Sequence, residues 1–223
     1  MEMNRRFCLW DLPLFNGMER GTFSPVCREA ADKKHYKRGD VLFNQGDPAE
    51  ALYLIKEGRF KLVRGNEEGK EVILQMAGKG EVLGEAALFQ VGDHPVTAVA
   101  MEDSRVCSLN RQRFESVLRE SPDLALRVIF SLGSSLYSTW EQVTELRTGT
   151  TRERVLNLLL RLATEHGEPC PEGTMVKVHL TQQDIADFVG VSRVMAARTV
   201  KELGDCNYLA KKNKYYILKD RCF

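Results

Sequence analysis

The sequence predicts an α+β chain: an N-terminal roll of short β-strands, one long helix, and a C-terminal pair of capped helices closed by a hairpin. Three observations predict it. Short apolar or alternating runs broken by Gly and Asp fill the stretch from Lys37 to Leu109. Apolar residues at heptad spacing follow Pro122, and two capped helices flank Gly190 ahead of a lysine-rich hairpin.

At 223 residues the chain has room for about two compact cores. Its 43% hydrophobic and 28% charged residues suit a soluble globular protein, and no apolar run approaches the roughly 18 residues of a membrane helix. Met1 to Trp10 carries Arg5 and Arg6 but no sustained apolar stretch with a small-residue cleavage site, which predicts a cytoplasmic protein without a membrane partner. Cys8, Cys27, Cys107, Cys170, Cys206 and Cys222 form no CxxC pair, so reduced thiols are expected rather than a zinc ribbon or disulfide scaffold.

The strand runs are Val41-Leu42-Phe43, Leu52 to Ile55, Arg59 to Val63, Val72 to Met76 and Val96 to Val99. Turns fall at Gln45-Gly46-Asp47, Glu57-Gly58, Gly65 to Gly69 and Gly78-Lys79-Gly80, where Gly supplies positive φ. Arg111 to Glu120 reads as a short helix. Ser121-Pro122-Asp123 then starts a helix of about 25 residues to Thr148. Ile129, Leu132, Leu136, Thr139, Val143 and Leu146 fall at a and d of a heptad and mark a candidate dimer seam, the alternative being a helix buried in a monomer; a second flank, Phe130, Tyr137 and Trp140, is expected to pack on the β domain. Gly149 interrupts that helix, and Thr150-x-x-Glu153 is a capping box for the next, through about Glu165.

The strongest local signal runs from Leu180 to Leu203. Thr181 caps a helix whose Ile185, Phe188 and Val189 form an apolar face, and Gly190 closes it. Ser192 caps a second helix, Arg193 to Leu203, with Met195, Ala196, Thr199, Val200 and Leu203 supplying the inward set. This is a helix-turn-helix pattern. In such a motif the second helix enters the major groove by its N-terminal end, so Ser192, Arg193, Val194 and Arg198 are candidate DNA contacts. A guanidinium donates paired hydrogen bonds to guanine or clamps a phosphate; Val194 offers only an apolar contact, such as a thymine methyl. Gln182 and Gln183 are candidate phosphate contacts at the preceding helix start. Tyr208 to Ala210 and Tyr215 to Leu218 read as strands joined across Lys211-Lys212-Asn213-Lys214, a basic wing in which Lys211 and Lys212 face the polyanion. The segment from Lys201 to Phe223 carries five Lys and one Arg against Glu202, Asp205 and Asp220. No Ser-His-Asp, metal-ligand or Walker-type constellation emerges, so an enzyme is not predicted.

The residues Arg38-Gly39-Asp40, Gln45-Gly46-Asp47, Tyr53 to Gly58, Gly80 to Phe89 and the helix-turn-helix together resemble the catabolite activator/FNR (Crp-Fnr) superfamily of bacterial transcription regulators, from about Lys37 to Asp220. The resemblance implies a cyclic-nucleotide-binding-like β-roll (a jelly roll), a dimerisation helix and a winged helix-turn-helix. It divides the chain into 1–121, a helical lead-in and effector-sensing roll, 122–149, dimer helix and hinge, and 150–223, the DNA-binding domain. It further implies a homodimer on a palindromic double-stranded operator, allosteric control from the roll, and RNA polymerase as a partner where the regulator activates. The alternative is a ligand-binding or signalling module of the same fold without DNA function.

The effector pocket implied by the family maps to Gly84, Glu85, His94, Thr97, Thr139 and Trp140. Gly84-Glu85 match the start of a phosphate-binding cassette and Thr97 its hydroxyl residue, but the cassette arginine is missing from Gly92-Asp93-His94-Pro95-Val96-Thr97. A buried phosphate would then lack its bidentate partner. Trp140 also stands where cAMP-responsive relatives carry a second hydroxyl, so the expected effector is not cAMP or cGMP. With only Cys8 and Cys27 near the N-terminus, an iron–sulfur cluster of the FNR type is not expected. The cofactor stays open between none and haem, for which His94 is the leading candidate ligand and His35, Met76, Met101, Cys27 and Cys107 are others; thiol oxidation at Cys8 or Cys107 and a small organic ligand are further effector candidates.

Overall fold

The computed structural model describes residues 33–65, 71–85 and 92–219. The expected helical lead-in and Cys8, Cys27 and Cys222 lie outside them. The chain divides into two compact units, Met1–Ser135 and Leu136–Phe223.

The first unit is a roll of eight strands among the described residues. They are β1 (Lys33–Tyr36), β2 (Val41–Phe43), β3 (Ala51–Glu57), β4 (Phe60–Gly65), β5 (Glu71–Ala77), β6 (Val82–Leu83), β7 (Thr97–Ala100) and β8 (Ser104–Asn110). They form two antiparallel sheets, ordered β1-β8-β3-β6 and β2-β7-β4-β5. Alternating residues of each sheet turn inward. Ile55, Leu83 and Val106 from one sheet meet Phe43, Phe60, Leu62, Ala98 and Ala100 from the other in a single core. All five strand runs read from the sequence are present; β1, β6 and β8 were not foreseen.

Helix α1 (Arg111–Glu120) follows β8, and α2 (Pro122–Thr148) begins with Pro at its first position, where no intrahelical N–H is needed. The seam residues Ile129 (60% exposed), Leu136, Val143 and Leu146 are uncovered in the single chain. Phe130 (73%), expected to pack on the β domain, is exposed instead, and Tyr137 (65%) and Trp140 (55%) are exposed further along the helix. Tyr137 and Trp140 stack edge to face on one another, with ring centroids 5.3 Å apart. No described helix is long and apolar enough to cross a membrane.

The second unit holds α3 (Thr151–His166), the hairpin β9 (Gly167–Cys170) and β10 (Gly173–Val176), α4 (Gln182–Val189), α5 (Arg193–Asp205), β11 (Leu209–Lys212) and β12 (Tyr215–Leu218). Its sheet is ordered β11-β12-β10-β9, and the hairpin β9–β10 was not foreseen. Each helix start follows from a side-chain cap. Thr150 and Glu153 form the expected capping box of α3, and Thr181 with Asp184 forms another on α4. Leu158, Leu159 and Leu162 of α3 and Tyr216, Ile217 and Leu218 of β12 are all buried, as are Ile185, Ala196 and Leu203 of α4 and α5.

Candidate nucleic-acid interface

Helix α4 ends at Gly190, whose φ of 69° is the left-handed value that glycine adopts without strain; its N–H donates to the Ala186 carbonyl. The Arg154 Nη1 donates to the Val189 carbonyl at 2.7 Å, which gives a further terminal carbonyl of α4 a cationic partner. One residue beyond Val191, Ser192 accepts from the Met195 N–H at 3.2 Å and starts α5. The two helices are thus joined by three residues, each end fixed by its own cap.

Against that frame the predicted contacts fall on the exposed side. Gln182, Gln183, Ser192, Arg193, Val194 and Arg198 are all exposed, Val194 by 79%. Gln183 Nε2 donates to Asp187 Oδ1 at 2.7 Å, and Arg198 Nε donates to Glu202 Oε1 at 2.9 Å. The inward face of α5 consists of Ala196, Thr199 and Leu203, with Val200 half-buried. Met195, expected inward, is 44% exposed, because it sits one residue from the buried stripe and about 100° around the helix.

In the wing, Lys211 and Lys212 lie on strand β11 rather than in the turn, which Asn213 and Lys214 form, with Asn213 at φ 56°. Both lysines are exposed, and Lys211 Nζ lies 5.4 Å from the Tyr216 ring centre. Tyr215, on the second strand of the wing, has Lys177 and Lys214 each 5.4 Å from its ring centre; Lys177 also pairs with Glu168 at 3.0 Å.

The residues expected to form the effector pocket are placed on several elements. Gly84 is buried at φ 82°, and a Cβ there would lie 2.6 Å from the Ala51 carbonyl and 3.1 Å from the Tyr53 ring, so its place in the roll is fixed by packing. Glu85 is exposed. Thr97 Oγ1 accepts from the Gln45 N–H at 2.9 Å, tying β7 to the turn after β2. Thr139 and Trp140 are exposed on α2.

His94 is 3% exposed, its ring lying flat on Phe43 with centroids 3.8 Å apart. Its N–H donates to the Asp47 carbonyl and its carbonyl accepts from the Gly46 N–H, so the backbone is pinned on both sides. Its Nδ1 is buried without a hydrogen-bond partner. This placement does not fit a haem ligand, which must present a ring nitrogen to the iron. Met76, Met101 and Cys107 are buried in the roll, whereas His35 is exposed on β1. Among the described residues no group of three His, Cys, Asp or Glu side chains is arranged to hold a metal.

Burial lowers the His94 pKa below its ordinary 6.5, while the Asp47 and Asp93 carboxylates oppose the shift. The unfolded chain therefore takes up this proton more readily than the folded one, and stability is complete above about pH 6.5 and falls as pH drops toward the folded value. Urea midpoints at pH 7.5 and pH 5 should differ less for His94→Leu than for the unchanged chain. Equal differences in the two would show that His94 does not titrate in its buried setting.

The fold and this surface define a two-part chain: a β-roll and, after it, a winged helix-turn-helix whose second helix exposes arginines at its start. Residues 33–121 match the model of the cyclic nucleotide-binding domain, and residues 153–222 that of the Crp-like helix-turn-helix domain. The cAMP-activated global transcriptional regulator CRP of Salmonella typhimurium is 30% identical over 82% of this chain and 87% of its own length. A global nitrogen regulator of Nostoc sp. is 29% identical over 85% of this chain and 83% of its own. In fold, the chain is similar to the c-di-GMP responsive global regulator CLP of Xanthomonas campestris, with a TM-score of 0.74 at 24% identity over 90% of this chain and 99% of that one. The chain belongs to the Crp-Fnr superfamily of DNA-binding transcription regulators. Its relatives are transcription regulators rather than enzymes.

Proposed function

We propose that the chain works as a homodimer on a palindromic operator in the cytoplasm, under allosteric control by an effector other than cAMP or cGMP. The single observation that carries the DNA-binding half is α5 itself: a capped helix whose first turns expose Arg193, Val194 and Arg198 while Ala196, Thr199 and Leu203 anchor it. Gln182 and Gln183, at the α4 start, and Lys211 and Lys212, on β11, hold phosphates on either side. The exposed a and d residues of α2 support the dimer. Residues 1–121 act as sensor, 122–149 as dimer helix and hinge, and 150–223 as DNA reader, with RNA polymerase a partner at activated promoters.

The departures at the pocket support an effector that is not a cyclic nucleotide. The cassette arginine is missing, and Thr97 already accepts a backbone hydrogen bond. Gly84 and Glu85 keep the turn of the roll. An effector in the roll shifts the population of dimer states that present α5 at the spacing of two major grooves.

Binding-site selection from random duplexes, followed by affinity measurement, tests the reading. The full chain should select a palindrome, and Arg198→Ala should cost about 1–3 kcal/mol on it. Addition of cAMP should leave the affinity unchanged. A chain that binds no duplex at any salt concentration tested would instead be the signalling module lacking DNA function.

A further inference from the structure

Among the described residues the most exposed large apolar side chain is Val194, at 79%. It sits on the first turn of α5, between two exposed arginines, and Met195 beside it is 44% exposed. A solvated helix start gains nothing from two bare hydrophobes, whereas an apolar contact within a cationic reading surface suits the one apolar group on a major-groove base edge, the thymine methyl.

The geometry adds a position. Val194 and Arg198 are four residues apart and so lie on one face of α5, with about 6 Å of rise between them, close to two base-pair steps of about 3.4 Å. Arg198 has its Nε committed to Glu202 at 2.9 Å, which turns the guanidinium by a fixed partner and leaves its two Nη groups for the paired acceptors O6 and N7 of guanine.

We infer that each operator half-site carries a thymine, read through its C5-methyl by Val194 with Met195 at its flank, within about two base pairs of the guanine read by Arg198. The inference rests on the DNA-binding reading above and gives that site its base composition.

The probe is the selected operator with deoxyuridine in place of the thymine, a change that removes the methyl and nothing else. The full chain should bind the deoxyuridine duplex about fourfold more weakly for one substituted half-site, the worth of one buried methyl. Val194→Ala should bind the thymine duplex more weakly and lose most of the difference between the two duplexes. Val194→Glu should shift selection at that pair toward cytosine, whose N4 amine a carboxylate accepts. Far-ultraviolet circular dichroism checks that each variant is folded. Sequence-selective binding that ignores the deoxyuridine change, or a half-site with no thymine near the Arg198-dependent guanine, overturns the methyl reading and leaves the DNA reading intact. Selection of no sequence at all overturns both.

Discussion

A chain carrying Leu136→Asp and Val143→Asp is expected to run as a monomer and to lose about 10²–10⁴-fold in affinity for a palindromic operator. The two positions are one heptad apart on α2, exposed by 49% and 47%, and lie on the stripe that includes Ile129 and Leu146. In a two-stranded seam each residue faces its counterpart, so the pair of substitutions sets four carboxylates into an apolar strip. Charge there is destabilising both by desolvation and by like-charge repulsion. The loss on DNA follows because two linked α5 helices bind the second half-site at a high effective concentration, and a monomer binds one half-site alone. Ser134→Asp, on the far side of α2 from the seam, should leave mass and affinity unchanged. Light scattering that finds the double variant still dimeric would move the interface elsewhere.

The parts of the fold that were legible in the sequence are those fixed by local chemistry. The caps at Thr150, Thr181 and Ser192 each stand where a side-chain oxygen meets an N–H three residues on, a relation contained within four residues of sequence. Strands β2, β3, β4, β5 and β7 announced themselves by apolar runs between glycine turns. Three of the strands that did not are edges: β1 is Lys-Lys-His-Tyr, β6 has two residues, and β9 carries Pro169. Edge strands hold charges, proline and short length because these block further pairing, and the same traits erase the strand signal. Strand β8 lies inside its sheet, but the buried Ser104 and Cys107 dilute its apolar pattern.

The candidate site divides in the same way. The candidate DNA surface is carried by one helix and one hairpin, so Arg193 and Arg198 could be named from the helix-turn-helix pattern and Val194 from the family resemblance; the exposure of Met195 could not, since neighbouring positions on a short helix differ by a rotation that only packing fixes. The roll residues depend on contacts distant in sequence. His94 reads as a free imidazole in a loop until Phe43, on β2, is found flat against it, and Thr97 reads as a free hydroxyl until Gln45 occupies it. The arginine missing from the cassette, by contrast, is a fact of sequence, and with those two contacts it argues against a nucleotide pocket of the usual kind.

The largest expected loss of stability from one side chain in the roll is at Phe60, which is 0% exposed. Phe60 begins β4, and the residues paired with it on either side are Ala77 of β5 and Ala100 of β7. Two alanines leave the space one aromatic ring fills, and Tyr36 closes it edge-on with centroids 5.8 Å apart. Phe60→Ala removes the ring while its neighbours are too short to collapse into the gap, so it should cost about 3–5 kcal/mol and lower the melting temperature by roughly 10 °C. Phe60→Leu keeps much of the volume and should cost about 1.5 kcal/mol. Ala100→Leu tests the complementary half of the fit: it adds volume where the ring already sits, and should cost about 1–3 kcal/mol by overpacking. If Phe60→Ala cost under about 1 kcal/mol by urea titration, the sheets would be free to close over the vacancy, and the small-large-small arrangement across β5, β4 and β7 would not be what sets the spacing of this core.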